Sequence, residues 1–180
     1  MLELQAMSET AGYSAVELTR DGRPVEIRAL RPDDRAELLA AIGRTSTQSL
    51  FRRFFAAKRG FTDQEIEFFL HVDFTNHVAL VAVMEEEGGR PAIVGGGRYI
   101  ALQPGKAEVA FAVIDRYQGQ GIGTALMRRL TEIARAAGLR ELIAEILPEN
   151  IPMMKVFEKS GLRLSTKREA QVVHVVLELF

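Results

Sequence analysis

The chain contains no cysteine among its 180 residues. This absence excludes disulfide bonds, thiolate metal ligands and a cysteine nucleophile, and it is typical of a cytoplasmic protein. The three histidines, His71, His77 and His174, lack the spacing of metal ligands, so we expect no metal site. The formal net charge of −1 provides no overall basic field that would attract nucleic acid.

Long apolar runs are also absent. No stretch of about 18 apolar residues occurs, so we expect no membrane-spanning segment. Residues 1–12 contain Glu3 and Glu9 but neither lysine nor arginine, which argues against a secretory signal peptide. Hydrophobic residues still make up 47% of the chain, enough for the core of one domain. We expect a loose arm over residues 1–20 and a single domain over residues 21–180.

The most informative stretch runs from Glu108 to Thr124. Its first part, residues 108–114, is rich in β-branched and aromatic residues and predicts a strand. A helix is predicted directly after the following turn, from the apolar period that begins at Ile122. The turn carries glycine at alternate positions, namely Gly119, Gly121 and Gly123. Backbone N–H groups and the positive end of the helix dipole would therefore form an anion site, most naturally for phosphate.

Two common phosphate motifs can be compared with this turn. The nucleotide P-loop requires Gly-Lys-Ser/Thr, whereas Gly123 is followed by Thr124 and Ala125. The dinucleotide fingerprint requires a third glycine at the position of Thr124. Glu145 does lie about 20 residues further on, where the ribose-binding acid of that motif is expected. Dinucleotide binding therefore stays open, as an alternative to the interpretation given next.

The spacing Gln118-x-x-Gly121-x-Gly123, preceded by Ala112-Val113, resembles the acetyl-coenzyme A signature of the GNAT acetyltransferase superfamily. Residues 148–162 are similar to the next helix of that family, and the resemblance covers about residues 25–180. It implies acetyl-CoA as cosubstrate. The positions that correspond to cofactor-binding residues are Val113, Gln118, Gly119, Gln120, Gly121, Ile122, Gly123, Thr124 and Asn150. Asn150 is also a residue type favoured at helix N-caps, and both interpretations stay open.

A narrower resemblance lies in residues 46–55, together with residues 72–73 and 78–83. These segments are similar to the GNAT domain of bacterial protein lysine acetyltransferases that modify acyl-CoA synthetases. The resemblance implies a protein lysine as acceptor. Members of the wider GNAT family place their first helices beside the acceptor cleft, which predicts that the helices of residues 46–70 wall the acceptor site. The alternative, which the helical spacing of the phenylalanines favours, is two short helices that only pack on the sheet. In such proteins the domain commonly follows a synthetase-like or nucleotide-binding region, and we expect none within these 180 residues. A small amine as acceptor, a non-catalytic acetyl-CoA sensor and an oligomer remain open.

Acetyl transfer to lysine requires a neutral amine. With a pKa of about 10.4, keeping it neutral at pH 7 costs roughly 4.6 kcal/mol. Glu108 is the expected general base, because similar protein-lysine acetyltransferases carry a glutamate at about this place; the alternative is a solvated glutamate at a strand end. By the same analogy, the backbone N–H of Val113 or Ile114 is the expected oxyanion donor. Without cysteine, direct attack in a ternary complex is expected.

One position departs from the family pattern. Many relatives have a tyrosine where this chain has Phe157, and phenylalanine has no proton to give to the departing thiolate. Either water supplies the proton or the thiolate leaves unaided. Tyr117 and Tyr99 are conceivable substitutes, and we assign the role to neither.

The expected fold is a single GNAT-fold α/β (α+β) domain. Strand–helix–strand after Glu108 implies a parallel pair, whereas the earlier hairpin and the last strand are expected to be antiparallel. The sheet is therefore mixed, mostly antiparallel, with a central parallel pair flanked by helices. Gly95, Gly96 and Gly97 within a strand predict a bulge or a close approach of another group. The strands are expected over residues 25–30, 78–84, 91–102, 108–114, 142–147 and 171–179, and the helices over 32–42, 63–70, 122–137 and 150–160.

Overall fold

The computed structural model describes residues 9–55 and 60–180. The strands are β1 (Ser14–Leu18), β2 (Pro24–Ala29), β3 (His77–Glu86), β4 (Arg90–Gln103), β5 (Lys106–Val113), β6 (Glu141–Ile146), β7 (Arg163–Glu169) and β8 (Val172–Glu178). The helices are α1 (Arg35–Gly43), α2 (Thr47–Phe54), α3 (Asp63–Leu70), α4 (Ile122–Ala136) and α5 (Ile151–Glu158). None of the helices in the described ranges is long and apolar enough to cross a membrane.

The strands form one sheet in the order β1-β2-β3-β4-β5-β6-β8-β7. The pair β5–β6 is parallel, and every other neighbouring pair in the described sheet is antiparallel. Helix α4 makes the crossover between the two parallel strands, as a parallel connection requires. The predicted mixed α/β sheet with a central parallel pair and flanking helices is confirmed.

The predicted loose arm is wrong for residues 14–18. This segment forms the edge strand β1, which pairs antiparallel with β2 through a turn at Asp21-Gly22. The strand gives little sequence signal because it lies at the sheet edge, where Val16 and Leu18 remain 68% and 70% exposed. The sheet therefore begins before residue 21, while residues 1–8 lie outside the described residues.

Strand β7 was not predicted. Its sequence is largely charged and polar, and almost every residue in it is exposed at the other edge of the sheet. Strand prediction depends on alternating burial, which an exposed edge strand does not need. A single final strand was expected, but the sheet ends in the antiparallel hairpin β7–β8.

Alternate residues of β5 serve the two faces of the sheet. Val109 and Phe111 are buried on the face covered by α4 and α5, where the Phe111 ring lies 6.3 Å from that of Phe157. Because side chains alternate along a strand, Glu108, Ala110 and Ala112 belong to the opposite face, which α1 and α2 cover. The central strand thus presents a carboxylate on the helix α2 side.

The glycine run of β4 accommodates both predicted features. Val94 is an extra residue opposite Ala82 and Val83, which makes a β-bulge. Gly97 faces the Phe111 ring so closely that an added Cβ would lie 2.5 Å from Phe111 Cδ1. The bulge and the close approach together explain why small residues occupy this part of the strand.

Replacing Gly97 by alanine is expected to destabilise the protein by about 1–3 kcal/mol, because the buried Phe111 ring must move to admit the methyl group. Urea unfolding of the two proteins measures this change. Gly43→Ala is the matched control, since no described residue lies within 4 Å of its added Cβ. Equal destabilisation by both substitutions would contradict the packing argument.

Candidate active site

A cleft opens where β5 and β6 separate. The parallel pairing joins only residues 106–108 to residues 141–143, and the last pair is Glu108 with Ile143. Beyond this pair β5 remains bonded to β4, but its other edge has no partner strand in the described sheet. Residues 109–113 and 144–146 line the resulting cleft, which has a volume of about 540 Å³. The two diverging strands therefore offer an extended backbone edge to a ligand.

The glycine-rich turn lies in this cleft and presents free backbone donors. Gly119 and Gly121 have φ angles of 76° and 91°, which favour glycine, and α4 begins directly after Gly121. Among the described residues, none accepts a hydrogen bond from the backbone N–H groups of residues 119–124. These donors and the positive end of the α4 dipole can bind an anionic group.

A hydrogen-bond network fixes the turn against the start of α2. The Asp115 carboxylate accepts bonds from the Ser46 N–H (2.8 Å), the Ser46 hydroxyl (2.7 Å) and the Ser49 hydroxyl (2.9 Å). Burial alone would raise the pKa of Asp115, but these bonds lower it overall. The sequence interpretation missed this network, because residues 46 and 115 lie far apart in the chain.

Gln118 plays a different part from the expected one. Its amide Nε2 donates to the Val113 carbonyl (3.0 Å) and to the Ser49 hydroxyl (3.1 Å). Both amide hydrogens are therefore used within the protein, so the side chain braces the turn and is not a free donor to phosphate. The expectation that its amide binds pyrophosphate is corrected on this point.

Most of the expected cofactor residues do come together. The cleft is lined by Val113, Gln118, Gly119, Gly121, Ile122, Gly123, Thr124 and Asn150. Gln120 differs, since its side-chain oxygen accepts a bond from Arg23 (3.0 Å) and its carbonyl accepts one from the Arg20 N–H (3.0 Å). This side chain turns towards the β1–β2 connection and away from the cleft.

Several cleft residues gave no sequence signal. Arg20 lies beside the glycine turn, although it was assigned to a loose arm, and α5 contributes Lys155 while its C-cap contributes Lys159. The fold thus brings these three positive charges to the cleft, in addition to Arg52 and Arg53, from segments that are distant in sequence. Such charges suit a ligand that carries several phosphates.

Asn150 caps helix α5. Its Oδ1 accepts a bond from the Met153 N–H (3.3 Å), and the residue is buried in the wall of the cleft. The capping interpretation is confirmed, but the amide Nδ2 donates to no described residue and could still contact a ligand. The two interpretations of this asparagine are therefore compatible.

Asn150→Ala is expected to lower the free energy of unfolding by about 1 kcal/mol, because one N–H of α5 loses its acceptor. Asn150→Asp retains the capping oxygen but replaces the amide donor by a carboxylate, whose negative charge also repels the phosphates of the ligand. We expect it to keep the unfolding midpoint while weakening coenzyme A binding, which urea unfolding and calorimetry measure separately. Equal stability of the alanine and wild-type proteins would contradict the capping role.

The backbone of β5 directs one N–H group into the cleft. The Ile114 N–H donates to the Val94 carbonyl (2.9 Å) and is not available to a ligand. Neighbouring residues of a strand direct their N–H groups to opposite edges, so the Val113 N–H lies at the edge that faces the cleft. Of the two expected oxyanion donors, only Val113 remains a candidate.

Glu108 lies where the cleft meets a second cavity of about 480 Å³. This second cavity is walled by α2 and α3, which contribute Phe54, Phe68 and Phe69. Arg53, Glu108 and Ala110 line both spaces. The Glu108 carboxylate is exposed, and within the described ranges it forms no hydrogen bond or ion pair. A molecule in either space can therefore reach it.

No tyrosine hydroxyl replaces the one missing at Phe157. Phe157 is only 1% exposed and lines the cleft. Tyr117 also lines the cleft, but its hydroxyl donates to the Glu86 carboxylate, and burial together with this bond raises its pKa. Tyr99 is buried away from both spaces, and burial raises its pKa to about 12. Neither tyrosine presents a proton to a ligand in the cleft.

Comparison with known proteins gives a consistent relationship. Residues 44–162 match the model of the Acetyltransferase (GNAT) family. Acetyltransferase PA5475 of Pseudomonas aeruginosa is 32% identical over 149 residues, which are 79% of this chain and 80% of that protein. Acetyltransferase Pat of Mycolicibacterium smegmatis is 31% identical over 144 residues, or 79% of this chain. This chain spans only 42% of the length of that protein.

A solved structure agrees with these relatives. The GNAT domain of S. lividans PAT has a TM-score of 0.82 and 32% sequence identity to this chain. The alignment covers 92% of this chain and 96% of that domain.

Proposed function

Because the chain belongs to the GNAT acetyltransferase family, we propose that it transfers the acetyl group of acetyl-CoA to a protein lysine, with Glu108 as general base. The family establishes an acetyltransferase that uses acetyl-CoA. The acceptor and the roles of individual residues are our proposal. One observation carries it. The exposed Glu108 carboxylate lies where a cleft with free N–H groups for phosphate meets a separate aromatic cavity.

The cleft suits acetyl-CoA along its whole length. The pyrophosphate would bind the free N–H groups of residues 119–124, with Arg20, Lys155 and Lys159 available to the other phosphate. The pantetheine arm would run along the unpaired edge of β5 and leave the thioester near Glu108. The Val113 N–H would then lie within reach of a carbonyl oxygen of the bound molecule.

The chemistry is a direct transfer between two bound substrates. The Glu108 carboxylate takes one proton from the lysine ammonium, and the neutral Nζ forms a bond to the thioester carbon. The nitrogen loses its second proton to water as this bond forms. The tetrahedral intermediate then collapses, the C–S bond breaks, and coenzyme A leaves as the thiolate. Water protonates this thiolate, because Phe157 has no hydroxyl, and Glu108 returns its proton to solvent. One amide and one thiol replace one amine and one thioester.

The aromatic walls favour a protein acceptor. Phe68 on α3 lines the second cavity and is 53% exposed, and Phe55, the C-cap of α2, lines the cleft and is 38% exposed. Exposed aromatic residues around a cavity are a common feature of protein-binding surfaces. An acyl-CoA synthetase is the acceptor that the sequence resemblance suggests.

Mass spectrometry tests the proposal. The purified protein is incubated with acetyl-CoA and either an acyl-CoA synthetase or a panel of small amines. Acetylated lysine on the synthetase, lost with Glu108→Gln, is the expected result. Acetylation of small amines alone would retain the mechanism and overturn the protein acceptor. Tight acetyl-CoA binding without any product would favour a sensor.

A further inference from the structure

Two arginines of the second cavity have no carboxylate partner among the residues that the structure describes. Arg53 on α2 and Arg98 on β4 both line it, together with Glu108. Arg98 Nη1 lies 3.3 Å from the Phe69 carbonyl and 2.9 Å from His77 Nε2, while the Arg53 guanidinium lies over the Phe54 ring. Within the described ranges, neither guanidinium forms an ion pair. This cavity therefore holds two cations without anions bound to them.

The pKa values of Arg53 and Arg98 are both lowered, because both guanidiniums are buried and no described carboxylate pairs with them. Burial, and after it the charge of Arg53, lowers the pKa of Arg98 to about 10. Burial also lowers the pKa of Arg53, and Glu108 raises it only in part. His77 cannot supply a charge of either sign, since burial and Arg98 lower its pKa to about 4 and leave it neutral at pH 7. Both guanidiniums remain charged and poorly solvated.

Arg28, another buried arginine, pairs with an acid. Arg28 donates two bonds of 2.8 Å to the two oxygens of Asp34, in the bidentate geometry that guanidinium prefers. Placing a guanidinium away from water is costly unless an acid accompanies it. The remaining acid of the second cavity, Glu65, accepts a bond from the Thr62 N–H (2.8 Å) at the start of α3. A ligand is therefore the natural source of the missing anion.

We propose that Arg53 and Arg98 form a carboxylate-binding subsite, so that the preferred acceptor amine carries a carboxylate close to it. This inference rests on the proposed function and narrows its acceptor. Arg98 lies opposite Ala110 in the β4–β5 pair, one diagonal step from Glu108 on the same face. Residues so placed are roughly 7–8 Å apart, and their Cβ atoms are somewhat closer. The carboxylate therefore lies about one side-chain length from the amine that Glu108 deprotonates.

Two molecules could supply this chemistry. An aspartate or glutamate beside the acceptor lysine would place its carboxylate on the arginines while the lysine enters from the aromatic opening. An amino acid with a free α-carboxylate would do the same in a small-molecule acceptor. Both acceptors carry a carboxylate near the amine, so the experiment must distinguish the peptide from the free amino acid.

Matched lysine peptides test the subsite. In each pair, glutamate or glutamine stands at one position within two residues of the lysine, and the two residues differ in charge but hardly in shape. We expect kcat/KM to be about 10- to 100-fold higher for the glutamate peptide of at least one pair. Arg53→Gln should reduce this ratio to near one. Arg53→Lys should restore part of it, because lysine keeps the charge but loses the bidentate fork.

The control variant is Arg163→Gln, which removes an exposed positive charge from β7, away from both cavities. It should keep the wild-type ratio. A rate loss in Arg53→Gln that is equal for both peptides would overturn the subsite, since it would indicate a role without carboxylate recognition. Equal use of glutamate and glutamine peptides by the wild-type protein would overturn it as well, while leaving lysine acetylation established.

The small-molecule arm compares ornithine with putrescine, which differ by the α-carboxylate. Preference for ornithine, lost in Arg53→Gln, without acetylation of any peptide would support the subsite and overturn the protein acceptor. Preference in neither arm overturns the subsite, and so does failure to acetylate every acceptor when calorimetry shows that acetyl-CoA binds.

Discussion

Glu108→Gln is expected to lower kcat on a lysine acceptor by about 10²–10⁴ while acetyl-CoA binds with unchanged affinity. Glutamine has nearly the same shape but cannot accept the proton of the attacking amine. Glu108 lies at the end of the β5–β6 pairing, whereas the N–H groups that bind phosphate belong to residues 119–124. Cofactor binding should therefore not depend on Glu108. Steady-state kinetics and calorimetry measure the two effects independently.

The dependence on pH distinguishes a base from a merely structural carboxylate. Without the base, the rate should follow the fraction of neutral lysine, which rises about tenfold per unit of pH below a pKa of about 10.4. The variant should therefore recover activity as the pH approaches that value. Glu67→Gln is the control: this exposed carboxylate on α3 pairs with Arg35 and lines neither cavity. A defect that is equal at every pH would contradict the assignment of Glu108.

The sequence predicted the centre of the fold better than its edges. The strand, glycine turn and helix of residues 108–124 carry strong local signals, because burial and positive φ angles restrict the residue types there. Strands β1 and β7 bury little and left no periodic pattern. The exposed edge of a sheet is fixed by pairing with its neighbour, which no local sequence pattern reveals.

The site was predictable as a backbone feature but not as a set of side chains. The turn follows from glycine spacing, and most of the expected cofactor residues do line one cleft. The side-chain amides of Gln118 and Gln120, however, form hydrogen bonds with Ser49 and Arg23, which are far away in the sequence. The second cavity likewise joins residues from α2, α3, β4 and β5. Such meetings depend on the tertiary fold, so neither Arg53 nor Arg98 could be placed beside Glu108 beforehand.

Gly121→Glu is expected to weaken coenzyme A binding by on the order of 10³-fold. Among the described residues, only Arg20 Cγ lies near an added Cβ at this position, at 4.0 Å. A side chain therefore fits, but it would project beside the N–H groups that bind phosphate. A carboxylate about 4 Å from a phosphate charge costs roughly 4 kcal/mol near a protein surface. It could also pair with Arg20 and withdraw that cation from the ligand.

Backbone strain must be separated from this charge effect. Gly121 has a φ of 91°, so any other residue there adds roughly 1–2 kcal/mol of strain. Gly121→Ala carries the same strain without the charge and is the matched control, expected to unfold more readily but to bind coenzyme A within about tenfold of wild type. Calorimetry on both folded variants compares the affinities. Unchanged affinity in Gly121→Glu would contradict the assignment of this turn as the phosphate site. An equal loss of affinity in both variants would show that strain at the start of α4, and not charge, causes the defect.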